Sequence, residues 1–300
     1  MKTLLRFVLA GALVSTPGLS VAQTAAPVTI ERAERYTLTA SKSKNAYLVD
    51  MLRVDSTLTK LPENYKLPVI YVLDGSSLFP FVAQMVNTSV TFSSQIPAAL
   101  VVSVSYVNDP ALTRGQNITN QLSWRNRDFA PAMTSGQPLP PNMANAGGAA
   151  DFLAFINHDL KPFVASRHPV DAQDQTLVGH SRSGLFTVYT LLNSPASFQR
   201  YVAMSPSVYW DDHAPIKQAA TFQTRFGSVL ARVFISVGGL ETKAFMGEDM
   251  IGDAKALASM LETQKDAGLQ TTSYVFPDEN HLSVVPGALM RGLREVGALR

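Results

Sequence analysis

The chain has 300 residues, 46% of them hydrophobic and 16% charged, which is a globular composition with length for one large or two modest domains. Its 25 basic residues nearly balance 23 acidic ones, so no basic footprint for nucleic acid is present. The absence of cysteine excludes disulfides and metal–thiolate chemistry.

Lys2 and Arg6 precede a short apolar run over 7–14, and Ser20-Val21-Ala22 puts small residues where a signal peptidase reads. Residues 1–22 are therefore expected to be a secretory signal cleaved after Ala22, with the product periplasmic or secreted. The run is too short for a membrane span, and no later run reaches that length. Without Lys2 and Arg6 the basic count falls to 23, equal to the acidic count. Residues 23–300 are expected to form a single domain.

Two strands are expected over 35–41 and 46–54, joined by the polar turn 42–45. LPVIYVL (67–73) is a short apolar run ending in Asp74-Gly75, which suits a strand covered on both faces. A helix over 78–90 and a buried strand over 98–106 follow. Residues 108–148 are rich in Pro, Asn, Gly and Gln with little periodicity. They read as one long loop, without an apolar lid helix. Helical spacing returns over 151–166. Strands are then expected at 176–178, 201–204, 233–237 and 271–276, and helices at 185–192, 253–267 (with Gly268 as C-cap) and 284–299. Strands alternating with helices from residue 67 onward predict an α/β fold: a mainly parallel central sheet, helices on both faces, and an N-terminal antiparallel hairpin.

The chemistry centres on LVGHSRSG (177–184), where Ser181 stands between an expected strand and an expected helix. A serine hydroxyl becomes a nucleophile only with a base in hydrogen-bond reach, an acid orienting that base, and donors for the oxyanion. A strand–turn–helix elbow exposes such a serine and demands small neighbours. Gly179 is one. Ser183 stands where the elbow motif has its second glycine, and Gly184 follows.

Five histidines are candidates for the base. His158 and His168 lie in or at the end of a helical segment. His180 adjoins the serine, which generally points its side chain elsewhere, and His213 follows Asp211-Asp212. His281 lies in the polar turn after the last strand, and the order serine, acid, histidine is the α/β-hydrolase order. For the acid, Glu241 after strand 233–237 leads, with Asp211 or Asp212 as competitors. Oxyanion donors are expected from the amides of Arg182 and of Gly75 or Ser76. The Asp211-Asp212-His213 run lacks a third ligand at helical spacing, so no metal is expected. No phosphate loop or dinucleotide fingerprint appears, and no cofactor is called for.

Several stretches carry a resemblance: YVLDG (71–75), RNRDFAP (125–131), GGAADFLAFINHDLKPFV (147–164), VGHSRSG (178–184), FQRYVAMSPSVYW (198–210), SVGGLE (236–241) and ENH (279–281). Together they resemble the α/β-hydrolase "Putative esterase" family, on the branch of esterase D and the siderophore trilactone esterases. The resemblance implies Ser181 as nucleophile and His281 as base, and Glu241 matches the region of the family's acid. The family usually has glycine where this chain has Ser183. Arg125 or Arg127 is expected either to pair with Asp128 and pin the long loop, or to recognise an anionic or catecholate substrate. Trp124, Phe129, Tyr209 and Trp210 are expected in an aromatic pocket or in the core. The reading is a serine hydrolase acting on small or aryl esters or siderophore-type lactones. An acyltransferase and a catalytically silent binding protein are the alternatives.

Overall fold

The computed structural model describes residues 28–93 and 96–299. The expected signal segment lies outside them, and residues 28–30 carry no regular structure.

From Arg32 onward the chain builds one eight-stranded sheet in the order β1-β2-β4-β3-β5-β6-β7-β8. β1 (Glu34–Thr39) and β2 (Ala46–Asp55) form the expected antiparallel hairpin, and β2 also pairs antiparallel with β4 (Ala98–Tyr106). β3 (Leu67–Val72) lies parallel between β4 and β5 (Val170–His180). β6 (Arg200–Met204), β7 (Ala231–Gly238) and β8 (Leu269–Phe276) continue the parallel pairing. Every residue of β4 is buried, as a strand with both faces covered requires.

Helices cover both faces. α1 (Gly75–Thr91) and α10 (Val284–Glu295) touch each other on one side. The other side carries α2 (Arg114–Phe129), α3 (Ala149–Phe155), α5 (Arg182–Asn193), α6 (Trp210–Ala219) and α9 (Met250–Glu262), with each helix packed on at least one other of the group. A π-helical turn, Ile156–Leu160, joins α3 to α4 (Lys161–Arg167). Short α7 (Phe222–Phe226) and α8 (Lys243–Met246) complete the set. An aromatic cluster of Tyr47, Phe129, Phe152, Phe155 and Phe186 fills the space between β2, α2, α3 and α5. Among the described residues no helix is long and apolar enough to cross a membrane.

The largest departure from expectation is α2, which occupies the stretch read as loop. Only Ile118, Leu122, Trp124 and Phe129 are apolar in its 16 residues, too few for a helical stripe to stand out. Its start is nonetheless written in the sequence. Thr113 and Gln116 form a reciprocal capping box, with the Gln116 amide donating to the Thr113 hydroxyl at 3.3 Å and the Thr113 amide to the Gln116 side chain at 2.9 Å. A smaller departure concerns Gly268, which does not cap α9. It closes a separate turn, Lys265–Ala267, in the left-handed conformation at φ 86°.

Candidate active site

The elbow forms at the C-terminal end of β5. Ser181 takes φ 59° and ψ −115°, a conformation strained for a residue with a side chain. Three backbone bonds hold it there. Its amide donates to Met204 O at 2.9 Å, and its carbonyl accepts from Leu185 at 2.9 Å and Ser207 at 3.1 Å. The positions that must be bare are Gly179 and Gly184. A β-carbon on Gly179 would stand 2.2 Å from Ser183 O, and one on Gly184 2.9 Å from Met204 O. Ser183, by contrast, is buried and fully used. Its hydroxyl accepts from the His180 amide at 2.8 Å and lies 2.7 Å from Asp74 Oδ2. The serine thus replaces a glycine at a place where room exists and hydrogen-bond partners wait.

Ser181 Oγ lies 2.8 Å from His281 Nε2, and His281 Nδ1 lies 2.5 Å from Glu241 Oε2. Glu241 is fully buried, and its other oxygen accepts from Ser205 Oγ at 2.6 Å and from the Gly238 amide at 2.7 Å. Burial pushes this carboxyl up, but the hydrogen bonds from His281, Ser205 and Gly238 outweigh it and hold the group below its usual value. The turns bearing Glu241 and His281 touch: Leu240 donates to Glu279 O at 3.0 Å, and a β-carbon on Gly238 would stand 2.4 Å from that same oxygen. Asn280 fixes the histidine turn by accepting from the amides of Leu282 and Ser283.

Asp211 and Asp212 stand apart from this chain of contacts. Asp211 accepts from the Thr134 and Ser135 amides at 2.7 and 3.0 Å, Asp212 pairs with Lys217, and His213 pairs with Asp253 at 3.0 Å. All three residues take left-handed dihedrals at the start of α6, with φ 54°, 52° and 61°.

Gly75 and Ser76 open α1 and Arg182 opens α5, so their amides belong to helix first turns, which lack intrahelical acceptors. Gly75 has a packing reason to be glycine as well, since a β-carbon there would stand 2.7 Å from Ser103 Oγ. Before it, Asp74 sits in the left-handed region at φ 55°. Its carboxylate takes both arms of the Arg125 fork, at 2.7 and 2.9 Å, and Arg125 Nη2 also donates to His180 O at 3.1 Å. Arg127 pairs with its neighbour Asp128 at 2.7 Å, and Asp128 accepts from Tyr47 at 2.9 Å. Of the two arginines, then, Arg127 makes the expected pair and Arg125 makes one that sequence reasoning did not foresee.

A cleft of about 550 Å³ opens over Ser181 and His281. Arg125 lines it, together with Asp74 and Ser76. Trp124, Tyr209 and Trp210 do not. Trp124 packs on Tyr106 at 5.8 Å between ring centroids, and Tyr209 packs against the core. Trp210 is buried, donates to Pro131 O at 3.2 Å and lies beneath the Arg182 guanidinium. α2 supplies the cleft wall instead, through Ile118, Gln121 and Leu122. His180 also departs from expectation. Its ring lies 4.6 Å from that of His281 and forms part of the cleft lining. Burial, helped by the neighbouring His281, lowers its pKa to about 4, so it is neutral at physiological pH. The residues missed from sequence are Asp74, Ser205 and α2's wall. Asp74 and Ser205 lie inside the matching stretches YVLDG and SPSVYW, which marked the places without revealing the bonds.

The profile of the family described as "Putative esterase" matches residues 55–247. The chain is 30% identical over 237 residues to the ferri-bacillibactin esterase BesA of Bacillus subtilis, covering 76% of this chain and 78% of that protein. It is 30% identical over 157 residues to a siderophore triacetylfusarinine C esterase of Aspergillus fumigatus, about half of each chain. Among solved structures, the BES protein from Bacillus cereus superposes with a TM-score of 0.76 at 26% identity, covering 91% of this chain and 98% of that one.

Proposed function

The chain belongs to the Putative esterase family and hydrolyses carboxylic esters, and on that premise we propose that Ser181 is its nucleophile, His281 its general base and Glu241 the carboxylate that orients the base. The observation that carries this assignment is the unbroken hydrogen-bond chain from Ser181 Oγ through both nitrogens of His281 to Glu241, opening on the cleft.

Glu241 holds the proton of His281 on Nδ1, which leaves Nε2 free to accept. Ser181 Oγ attacks the ester carbonyl as His281 Nε2 takes its proton. Negative charge moves to the carbonyl oxygen, where the amides of Arg182 and of Gly75 or Ser76 receive it. As the tetrahedral species collapses, His281 returns the proton to the leaving alcohol and an acyl-Ser181 remains. Water then enters, His281 takes its proton, and attack on the acyl carbon releases the acid and restores the serine.

The relatives are named for esters of siderophores, which supports a siderophore-type ester or lactone as the natural substrate. Small and aryl esters serve as surrogates. The test is turnover of p-nitrophenyl acetate and butyrate by the protein beside Ser181→Ala. Loss of about 10⁴-fold or more in kcat, with the far-ultraviolet circular dichroism unchanged, is expected. Equal rates in both proteins would refute the assignment.

The proposal extends to export, on the strength of Lys2, Arg6, the apolar run and Ser20-Val21-Ala22. N-terminal sequencing of the protein recovered outside the cytoplasm is expected to begin at Gln23. Recovery of the uncleaved chain in the cytoplasm would overturn it.

A further inference from the structure

The histidine before the nucleophile has no part in the proton relay, yet its backbone is held from both sides. His180 ends β5 and is 8% exposed. Its amide donates to Ser183 Oγ at 2.8 Å, and its carbonyl accepts from Arg125 Nη2 at 3.1 Å. Ser183 and Arg125 both reach Asp74, so one carboxylate anchors both grips. What this clamp fixes in place is a ring. The His180 imidazole lies 4.6 Å from that of His281 between centroids, with 42° between the planes. Its Nε2 is buried and makes no hydrogen bond, so that atom has no polar task. What the ring offers His281 is aromatic surface.

His281 becomes an imidazolium each time it takes a proton from Ser181 or from water. A neutral aromatic ring within about 6 Å attracts a cation through the ring quadrupole, more strongly where water is kept away. The His281 side chain is 19% exposed. A charged ring would repel instead, but burial first and His281 second lower the His180 pKa to about 4. The other ionisable groups around the two rings are Glu241 after β7, Asp74 after β3, Arg125 on α2 and Arg182 on α5. Glu241 touches His281, Asp74 and Arg125 are paired, and Arg182 lies over Trp210. These four stay as they are when His180 is replaced. Resting on the esterase reading, we propose that His180 is a positioning residue, which holds an aromatic ring against His281 and so stabilises the imidazolium formed in each proton transfer. The proton passes from Ser181 Oγ or water to His281 Nε2, and His180 neither gains nor loses one.

Two bulky substitutions in the full-length protein separate aromatic support from packing. His180→Phe keeps a ring that cannot titrate, and His180→Leu fills the place without one. With p-nitrophenyl butyrate, His180→Leu is expected to lower kcat about tenfold with KM within about twofold of wild type. His180→Phe is expected to keep kcat within about threefold. Nitrogen-15 NMR of the His281 ring across pH gives a second reading that needs no turnover. The ring is expected to titrate at lower pH in His180→Leu and at the wild-type pH in His180→Phe. A ring that only excluded water would be replaced by leucine without loss. Equal kcat in the two variants, or a His281 titration that His180→Leu leaves in place, would therefore overturn the proposal. A wild type no faster than Ser181→Ala, with the titration difference intact, would refute the esterase assignment and leave the support of the imidazolium standing.

Discussion

At the scale of single residues, the site is defined by how completely its polar atoms are committed. Glu241 has both oxygens engaged, so Glu241→Gln removes the charge facing His281 and forces an amide into a place built for an acceptor. A fall in kcat of about 10²–10⁴ with a smaller change in KM is expected from steady-state kinetics on p-nitrophenyl butyrate. Ser183 makes a sharper case. Restoring the family's glycine by Ser183→Gly relieves no crowding, because the tight approaches are at Gly179 and Gly184. It strips the hydroxyl that bridges the His180 amide and Asp74. The variant is expected to lose about 1–2 kcal/mol in urea unfolding, the cost of an unpaired buried donor. Unchanged stability would show that water or a shifted Asp74 fills the gap. Sequence order alone brought Ser181 and His281 forward, since chain order and flanking elements are local facts. Asp74, Ser205 and the role of Ser183 were hidden because each is defined by a partner 36 to 109 residues away.

Elements carry the next level of argument. The elbow works only if α5 can approach β5 with nothing between them, and Gly179→Ala puts a methyl against the backbone oxygen of Ser183. A loss of at least about 2 kcal/mol is expected, read as a lower midpoint of urea unfolding with the slope unchanged. α2 behaves differently. Ile118 and Leu122 are 47% and 55% exposed while lining the cleft, so much of their apolar surface is left open to a ligand. Ile118→Ser with Leu122→Ser is expected to raise KM for aryl esters by about tenfold, equivalent to about 1.4 kcal/mol of lost contact, and to leave the melting temperature within a few degrees of wild type. Strands and the remaining helices were readable because burial writes apolar runs and periodic stripes into sequence. α2 was not, because most of its surface faces solvent or the cleft and it needs only a few apolar anchors.

For the molecule as a whole, the parallel sheet brings the ends of β3, β5, β6, β7 and β8 to one edge, and the site is the place where their following turns meet. This was legible as a fold class from the alternation of elements. Which turns touch was not, since contacts such as Gly238 against Glu279 depend on three-dimensional register. The buried His180 adds a pH dependence to global stability. Its pKa is about 4 in the folded protein against 6.5 when unfolded, so the folded state resists protonation. The stability contributed by keeping it neutral is fully present above pH 6.5 and is lost as pH falls toward 4, by roughly 3 kcal/mol at most. Melting curves from pH 7 to 4 are expected to fall more steeply for the wild type than for His180→Asn. Parallel curves would show that the ring relaxes into solvent when it charges.

α2 also divides its labour along its length. Its C-terminal half is committed: Arg125 to Asp74, Asp128 to Arg127 and Tyr47, Phe129 to the aromatic cluster. Its middle turn, with Ile118, Gln121 and Leu122, lines the cleft, and Gln121 also donates to Asn108 Oδ1 at 2.6 Å. Surface substitutions of that kind usually shift stability by less than about 0.5 kcal/mol. Evolutionary drift in substrate range therefore has a nearly neutral path here, one in which a lineage changes what it cleaves by editing a single helical turn while the elbow, the Asp74-Gly75 turn and their tether through Arg125 stay as they are.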